Sequence, residues 1–298
     1  MAPKTFENRL CGLSLDMFNK DYVHENLWDV EHTDAEKRVN FKNNLKLSKN
    51  GDMLGSTLFK GDCGVVHAEL MLQNAGNNHV EASAVNSSYK PLALHAKYAF
   101  DAAKKSNSLT MTAEHTLPWN VFQFKLMPCS NMYSAFSLFT YKANCWQLSG
   151  GAEVNGKRES LYSNHVFGLG YRNNHMGKTY VVSARMLGDQ ATPAKSIVGN
   201  AYAGTLNGNG NVQTALSVAV EHMLDDASTK LKFAGLWHIS DGYTPAYVKA
   251  KCDSDGQVAV TLFQRFNQKL AAAVGVNFNA KENVNPINAN YGLKFFIS

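Results

Sequence analysis

The chain has 298 residues, a formal net charge of +5 and a mean hydropathy of −0.27. This length is sufficient for one large all-β domain, and no apolar run reaches the roughly 18 residues of a membrane-spanning helix. The five cysteines include no CxxC pair, and the ten histidines show no ligand spacing. We therefore predict no disulfide framework, no metal site and no cofactor, and a reducing compartment.

Helical periodicity is confined to residues 5–20. The apolar residues that recur on one face are Phe6, Leu10, Leu13 and Met17, and Thr5 is a suitable N-cap. So short a helix is not stable alone, and we expect it to lie on an apolar surface. We assign residues 1–25 to an N-terminal helical segment, whose candidate functional residues are Leu10, Leu13, Asp16 and Phe18.

From residue 28 onward the hydrophobic period changes to 2, which is typical of β-strands. The clearest runs begin near residues 28, 39, 92, 109, 180, 216, 231, 246, 258, 270 and 290. Predicted hairpin turns are Asn50-Gly51, Asn155-Gly156, Asp241-Gly242 and Asp255-Gly256, with a longer loop over residues 204–211. At about 14 residues per strand and turn, residues 26–298 form about 19 strands. Closure into a barrel removes the exposed edges of so long a meander.

The alternation separates an apolar face from a polar one. In the clear runs, the polar face carries three acidic residues (Asp101, Glu114, Glu221) and seven basic residues (Lys97, Arg185, Lys230, Lys232, Lys249, Lys251, Lys294). A barrel of about 19 strands is too wide for side chains to fill, so the polar face is expected inside. We therefore predict an all-β, transmembrane antiparallel β-barrel with a basic lumen, and positive rings favour anions.

The final stretch, residues 290–298, places Tyr291, Leu293, Phe295 and Ile297 on one face of a last strand. It resembles the C-terminal sorting signal of mitochondrial outer-membrane β-barrels, which has a polar residue, a glycine and two alternating large hydrophobic residues. The positions that match this signal are Asn290, Gly292, Phe295 and Ile297.

Taken together, these features resemble the mitochondrial voltage-dependent anion channel family, the porins of the mitochondrial outer membrane. Residues 13–22 (Leu-Ser-Leu-Asp-Met-Phe-Asn-Lys-Asp-Tyr) are similar to the family's N-terminal helix and its exit. Residues 150–172 are similar to a central hairpin of the family, and residues 245–298 to its last strands.

The resemblance implies a 19-stranded barrel, parallel pairing of the first and last strands, and a helix inside the lumen. It also implies diffusion of small anions such as ATP and ADP across the mitochondrial outer membrane. The expected partners are the lipid bilayer, the transported anions and nucleotides, and a homo-oligomer or larger membrane complex, without nucleic acid. Lys20 matches a basic residue of the family's helix and joins the seven basic residues above as a candidate pore-lining, anion-selective residue.

Three departures from the family pattern affect these expectations. Gly12 and Leu15 stand where the family's helix has a Lys and an Arg. Asp21, Val23 and Glu25 replace the glycines that make the helix exit flexible, so a hinge there is not expected. The family's lipid-facing Glu corresponds to Glu69, whereas the alternation of Val66, Ala68, Leu70 and Leu72 places Glu69 on the polar, lumenal face.

Three other functions are compatible with parts of this pattern. A protein-import pore of the same superfamily has the same strand count, but it normally carries a longer N-terminal extension and acidic lumenal patches. A porin paralogue that serves as a scaffold within a larger assembly is a second alternative, and a soluble β-rich binding protein is a third. We do not predict an enzyme, because the sequence lacks GxSxG, HExxH, GxxxxGK[ST] and GxGxxG motifs.

Overall fold

A computed structural model describes residues 3–23, 26–35, 39–63, 65–85, 91–101, 105–206, 212–240, 244–282 and 289–298. One helix, α1 (Phe6–Asn19), precedes 19 strands, and a 3-10 turn spans Pro128–Ser130. The strands of the first half are β1 (Trp28–Ala35), β2 (Val39–Leu47), β3 (Met53–Cys63), β4 (Val66–Gln73), β5 (Asn77–Val85), β6 (Leu92–Asp101), β7 (Ser106–Thr116), β8 (Asn120–Met127), β9 (Met132–Ala143) and β10 (Trp146–Lys157). Those of the second half are β11 (Ser160–His175), β12 (Lys178–Asp189), β13 (Ser196–Leu206), β14 (Val212–Met223), β15 (Thr229–Ser240), β16 (Ala246–Asp253), β17 (Gln257–Arg265), β18 (Leu270–Asn279) and β19 (Asn290–Ile297).

The 19 strands form a single closed ring. Each strand pairs antiparallel with the next along the chain, and β1 pairs with β19 in parallel. An odd number of strands in alternating directions leaves the first and last pointing the same way, so the ring can close only by a parallel pair. The predicted barrel and its strand number are confirmed. The parallel pairing of the first and last strands, which the family resemblance implies, is also observed.

A network of charged side chains crosses the parallel seam on the inner face. Lys294 of β19 contacts Glu31 (2.9 Å) and Asp29 (3.6 Å) of β1. From the other side, Lys42 of β2 contacts Glu31 at 2.7 Å and Lys46 contacts Asp29 at 3.7 Å. Two carboxylates of β1 are thus held by ammonium groups from both neighbouring strands, which fixes the register of the closing pair.

The two faces of the barrel differ in the way that the alternation predicts. Large apolar side chains are exposed on the outer face, and those that are 53–65% exposed include Leu94, Leu169, Val182, Leu216 and Val274. A continuous exposed apolar surface of this kind fits contact with lipid. Among the residues that the structure describes, no helix is long and apolar enough to span a membrane.

Two of the four predicted Asn-Gly or Asp-Gly turns are observed, at Gly51 and Gly256, both with φ +88°. The predicted turn at Asn155-Gly156 is wrong, because both residues lie inside β10. A Cβ at Gly156 would lie 2.4 Å from the ring of Tyr133, so this glycine makes room for an aromatic ring. Asp241-Gly242 lies outside the described residues, as does most of the predicted loop 204–211, whose first three residues belong to β13.

Candidate functional site

The predicted amphipathic helix is observed as α1, and it packs inside the barrel against β10–β15. The hydroxyl of Thr5 accepts a hydrogen bond from the backbone N–H of Asn8 (3.3 Å) as the N-cap. The helix is kinked at Cys11, which has φ −135° and ψ 27° and precedes Gly12. The kink divides α1 into two short helical segments that dock on different parts of the wall.

Apolar contacts hold both halves of α1. Near its start, Phe6 and Leu10 pack on Phe136 and Leu138 of β9. Space for Leu10 depends on Gly168 of β11, where a Cβ would lie 2.4 Å from Leu10 Cδ1. Near its end, the buried residues that form one cluster are Met17, Phe18, Val181, Tyr202, Ala215 and Ala234, with Leu13 packed against them.

Polar contacts fix the orientation of the helix. Arg9 pairs with Glu114 of β7 at 2.6 Å, and Glu7 pairs with Arg185 of β12 at 2.5 Å. The hydroxyl of Ser14 lies 2.5 Å from that of Ser217 on β14, and both residues are fully buried. Because these contacts reach three different strands, α1 cannot rotate or slide without breaking at least one of them.

Two lysines of β16 bind the C-terminal end of α1. Lys249 Nζ donates to the carbonyl oxygens of Asp16 and Lys20, each at 2.8 Å, and Lys251 Nζ donates to that of Phe18 at 2.8 Å. The Asp16 carbonyl also accepts the capping N–H of Lys20 at 3.2 Å. All three carbonyls belong to the C-terminal end of the helix, where a cation interacts favourably with the helix dipole. Lys249 is only 2% exposed, so its charge is used by the helix and is not open to solute.

The segment that follows α1 passes over two glycines of the last strands. A Cβ at Gly275 would lie 1.8 Å from the carbonyl oxygen of Val23, and one at Gly292 would lie 2.7 Å from that of Asn26. The ring of Tyr22 lies beneath the ammonium groups of Lys249 and Lys251, at 5.1 and 4.3 Å. Burial raises the pKa of the Tyr22 phenol, and the nearby Asp21 carboxylate raises it further. The helix exit is therefore fastened to the wall, and Glu25 lies outside the described residues.

A cavity of about 1170 Å³ lies between the free face of α1 and the wall formed by β7–β12. Its lining includes Gly12 and Leu15, the two positions where the related family has basic residues. Positive charge comes from other places: the basic residues that line the cavity are Lys4, Arg9, Lys20, Lys142 and Arg172. Glu114 pairs with Arg9 and Asp16 with Lys20, which leaves Lys4, Lys142 and Arg172 as the excess positive charge. This concentration of basic groups makes the cavity suited to anions.

Lys142 and Arg172 belong to this site and are absent from the sequence-based candidates. Each is exposed, and neither forms an ion pair with any other residue that the structure describes. Arg172 Nε donates only to Asn174 Oδ1 (3.3 Å). Lys142 lies in β9, whose inner face also carries the apolar residues Phe136 and Leu138. Arg172 lies in β11, whose inner positions include Gly168 and Gly170, so neither inner face shows a clear polar pattern. The sequence did contain a signal for Arg172, because residues 168, 170 and 172 alternate on one face of the strand and the first two are glycines.

The eight predicted pore-lining residues fall into four groups. Arg185, Lys249 and Lys251 lie beneath α1 and contact it, whereas Lys294 belongs to the seam network. Lys20 pairs with Asp16 at 2.8 Å, Lys97 with Glu81 at 2.5 Å, and Lys230 with Asp255 at 3.6 Å. Lys232 is exposed on the inner face, near the start of β15. The structure therefore distributes these residues around the whole lumen and does not gather them into one site.

The residues of the predicted sorting signal all lie in β19. Phe295 and Ile297 point outward with Tyr291 and Leu293, since they alternate with the inward-facing Lys294. Asn290 begins the strand, and Gly292 faces the helix exit. Gly292 thus has a packing role inside the barrel in addition to any role in sorting.

Glu69 faces the lumen, as the alternation predicts and contrary to the position implied by the family resemblance. Its Oε2 accepts from Lys60 Nζ at 2.7 Å. The surrounding wall, β3–β6, carries further inward charged and imidazole side chains in pairs: His67 with Asp62, His95 with Glu81, and Lys97 with Glu81. This wall is of mixed charge, unlike the basic cavity beside α1.

Cys11 offers a test of helix docking. Its thiol is fully buried, and burial raises its pKa above the ordinary value despite the opposing influence of Arg185. A raised pKa means less thiolate at neutral pH, and the thiolate is the reactive form. We expect maleimide at about pH 7.5 to label the exposed Cys129 and to leave Cys11 unlabelled. Peptide mass spectrometry would check this, with unfolded protein as the control in which both react; labelling of Cys11 in the folded barrel would contradict the docked helix.

The fold and cavity define a closed β-barrel with an internal helix, an apolar outer face and a polar, partly basic lumen. Searches against protein-family models and against curated proteins find no match. Among solved structures, the chain is similar to a triple mutant of the Rhodopseudomonas blastica porin, with 8% identity, a TM-score of 0.46 and coverage of 82% of this chain and 91% of that chain. It is also similar to Pseudomonas aeruginosa OccK10 (OpdN), with 9% identity, a TM-score of 0.43 and coverage of 89% and 86%.

Proposed function

We propose that the protein is a voltage-dependent, anion-selective channel of the mitochondrial outer membrane. In this proposal small anions and metabolites such as ATP and ADP diffuse through the lumen. The apolar outer face supports a place in a bilayer. The mitochondrial location is supported by the resemblance of β19 to a sorting signal, and the voltage dependence and the nucleotide cargo by the family resemblance of the sequence.

The observation that carries anion selectivity is the basic cavity beside α1. Lys4, Lys142 and Arg172 are exposed there. The other two basic groups of its lining, Arg9 and Lys20, are paired with Glu114 and Asp16. Several unneutralised cations around a narrow water-filled space raise the local anion concentration. In this proposal the wall residues Lys142 and Arg172 provide the charge that Gly12 and Leu15 of the helix do not.

A protein-import pore is the second candidate, because it would use acidic lumenal patches to bind basic presequences. The inner face of β3–β6 does carry Asp62, Glu69 and Glu81. Lys60 and Lys97 neutralise Glu69 and Glu81 at 2.7 and 2.5 Å. The wall is therefore mixed in charge and does not form an acidic patch, which favours the anion channel over the import pore.

The test is the reversal potential of the purified protein in a planar bilayer under a salt gradient, for the wild type and for Lys142→Glu with Arg172→Glu. We expect wild-type pores to prefer anions and the double variant to lose that preference severalfold at about 0.1 M salt. The difference should shrink near 1 M salt, because the Debye length falls from about 10 Å to about 3 Å.

Lys178→Glu is the matched control, since Lys178 is an exposed cation at the end of β12, outside the cavity. It should leave the reversal potential unchanged. Equal reversal potentials for the wild type and the double variant would remove the assignment of selectivity to this cavity. Cation preference in the wild type would favour the import pore, and folded protein that forms no pores would leave a scaffold.

A further inference from the structure

The wall opposite the helix contains a cluster that the channel proposal does not use. Glu69 of β4 and Glu81 of β5 are directly opposite each other in the strand register. Like charges in this position destabilise a sheet unless cations compensate them. Both carboxylates are mostly buried, at 18% and 15% exposure, and each has one lysine partner, Lys60 for Glu69 and Lys97 for Glu81.

The imidazole of His79 lies between the two carboxylates. Its Nε2 is 3.8 Å from Glu69 Oε1 and 3.7 Å from Glu81 Oε1, beyond hydrogen-bond distance in both directions. The three atoms all lie within 4.8 Å of one another. Ligand atoms at about 2.1 Å from a tetrahedral ion are about 3.4 Å apart, so small side-chain movements would bring all three atoms onto one ion.

We propose that Glu69, His79 and Glu81 form a binding site for a divalent transition-metal ion of the Zn²⁺ class on the lumenal wall. One imidazole with two carboxylates is a donor set that such ions accept, and the lumen leaves the fourth position to water. The ion would bridge the two opposed carboxylates, in addition to Lys60 on Glu69 and in place of Lys97 on Glu81. The sequence does not reveal this site, because its ligands come from two strands and lack the spacing of known motifs.

Neighbouring residues have distinct roles in this site. His95 Nε2 lies 3.2 Å from Glu81 Oε2, the oxygen that does not face His79, and would orient the carboxylate. Lys60 contacts Glu69 Oε2 and leaves Oε1 open to the ion. Lys97 Nζ lies 2.5 Å from Glu81 Oε1 itself, so this ammonium group competes with the metal. Lys97 is 38% exposed at the lumen and can move aside.

The experiment measures Zn²⁺ affinity by competition with a chromophoric chelator, using untagged barrel folded in detergent. We expect one tightly bound Zn²⁺ per chain. His79→Ala should weaken binding by more than about 100-fold, and His95→Ala by about 10- to 100-fold, as for other groups that orient a metal ligand. Lys97→Met should tighten binding by about 10-fold or more, because its competitor is removed while the ligands stay.

His222→Ala is the matched control, since His222 contacts Thr229 on the outer face of the barrel; its affinity should equal that of the wild type. Co²⁺ gives a second readout, with tetrahedral absorption bands that disappear in His79→Ala and in Glu81→Gln. Wild-type affinity in folded His79→Ala, or weaker binding in Lys97→Met, would overturn the site. These outcomes are independent of anion selectivity, which is tested with Lys142 and Arg172.

Discussion

Replacing Lys249 and Lys251 together by methionine is expected to release α1 from the barrel wall. The substitutions keep the aliphatic stems and remove both ammonium groups, which leaves the carbonyls of Asp16, Phe18 and Lys20 without these donors. Hydrogen bonds to charged groups contribute about 1.5–3 kcal/mol each. A helix of this length is not stable by itself. We therefore expect the loss of three such bonds to detach it from the wall.

The reactivity of Cys11 measures this release directly. In the double methionine variant we expect maleimide labelling of Cys11 at pH 7.5 to approach that of Cys129, and single-channel conductance to rise as the lumen widens. Lys232→Met is the control, since Lys232 faces the lumen from the neighbouring strand without a contact to α1 among the residues described. Continued protection of Cys11 in the double variant would show that the lysines do not hold the helix.

The second large effect is expected from Gly275→Val. A Cβ at this position would lie 1.8 Å from the carbonyl oxygen of Val23 and 2.6 Å from its carbonyl carbon. Both are backbone atoms, so the conflict cannot be relieved by a side-chain rotation. Overpacking commonly costs about 1–3 kcal/mol and more where the backbone must move. We expect a large loss of folded barrel on refolding in detergent and a lower Tm.

The matched control is Gly199→Val, since no atom lies within 4 Å of a Cβ at Gly199; its yield and Tm should be close to those of the wild type. Gly292→Ala should fall between the two, with contacts of 2.7 and 2.8 Å to backbone oxygens. Refolding in detergent uses no sorting machinery, so a defect of Gly292→Ala there reports packing alone. Normal refolding of Gly275→Val would mean that the helix exit does not need this glycine.

Much of the barrel could be predicted because alternation is a local property. The runs at 92–100, 180–186 and 270–278 identify strands and their two faces, and the count of residues gives the number of strands. The turn at Asn155-Gly156 failed because a glycine next to asparagine is ambiguous: here Gly156 gives space to Tyr133 across the sheet. That space is decided by a residue more than twenty positions away.

The candidate site was less predictable. Alternation along a strand assigns a residue to the inner or outer face, but it does not show which residues it contacts across the lumen. The sequence alone predicts that Lys249 and Lys251 are solvated cations on the inner face. In the structure they contact α1, which is more than 220 residues earlier in the chain. Lys142 and Arg172 were missed for the converse reason, since the inner faces of their strands include Phe136, Leu138, Gly168 and Gly170 and do not read as polar. Only the position of the helix separates charges used for docking from charges open to a solute.

The placement of α1 on one side of the lumen also has a mechanical consequence. The helix and the segment after it lie against β10–β15 and against inner residues of β16–β19, including Lys249, Thr261, Gly275 and Gly292. The helix and this segment therefore support one side of the barrel wall from the inside. The arc formed by β2–β6 is held by its hydrogen-bond ladder and cross-strand pairs. If membrane tension deforms the circular cross-section of the barrel into an ellipse, we therefore expect strands β2–β6 to deform most.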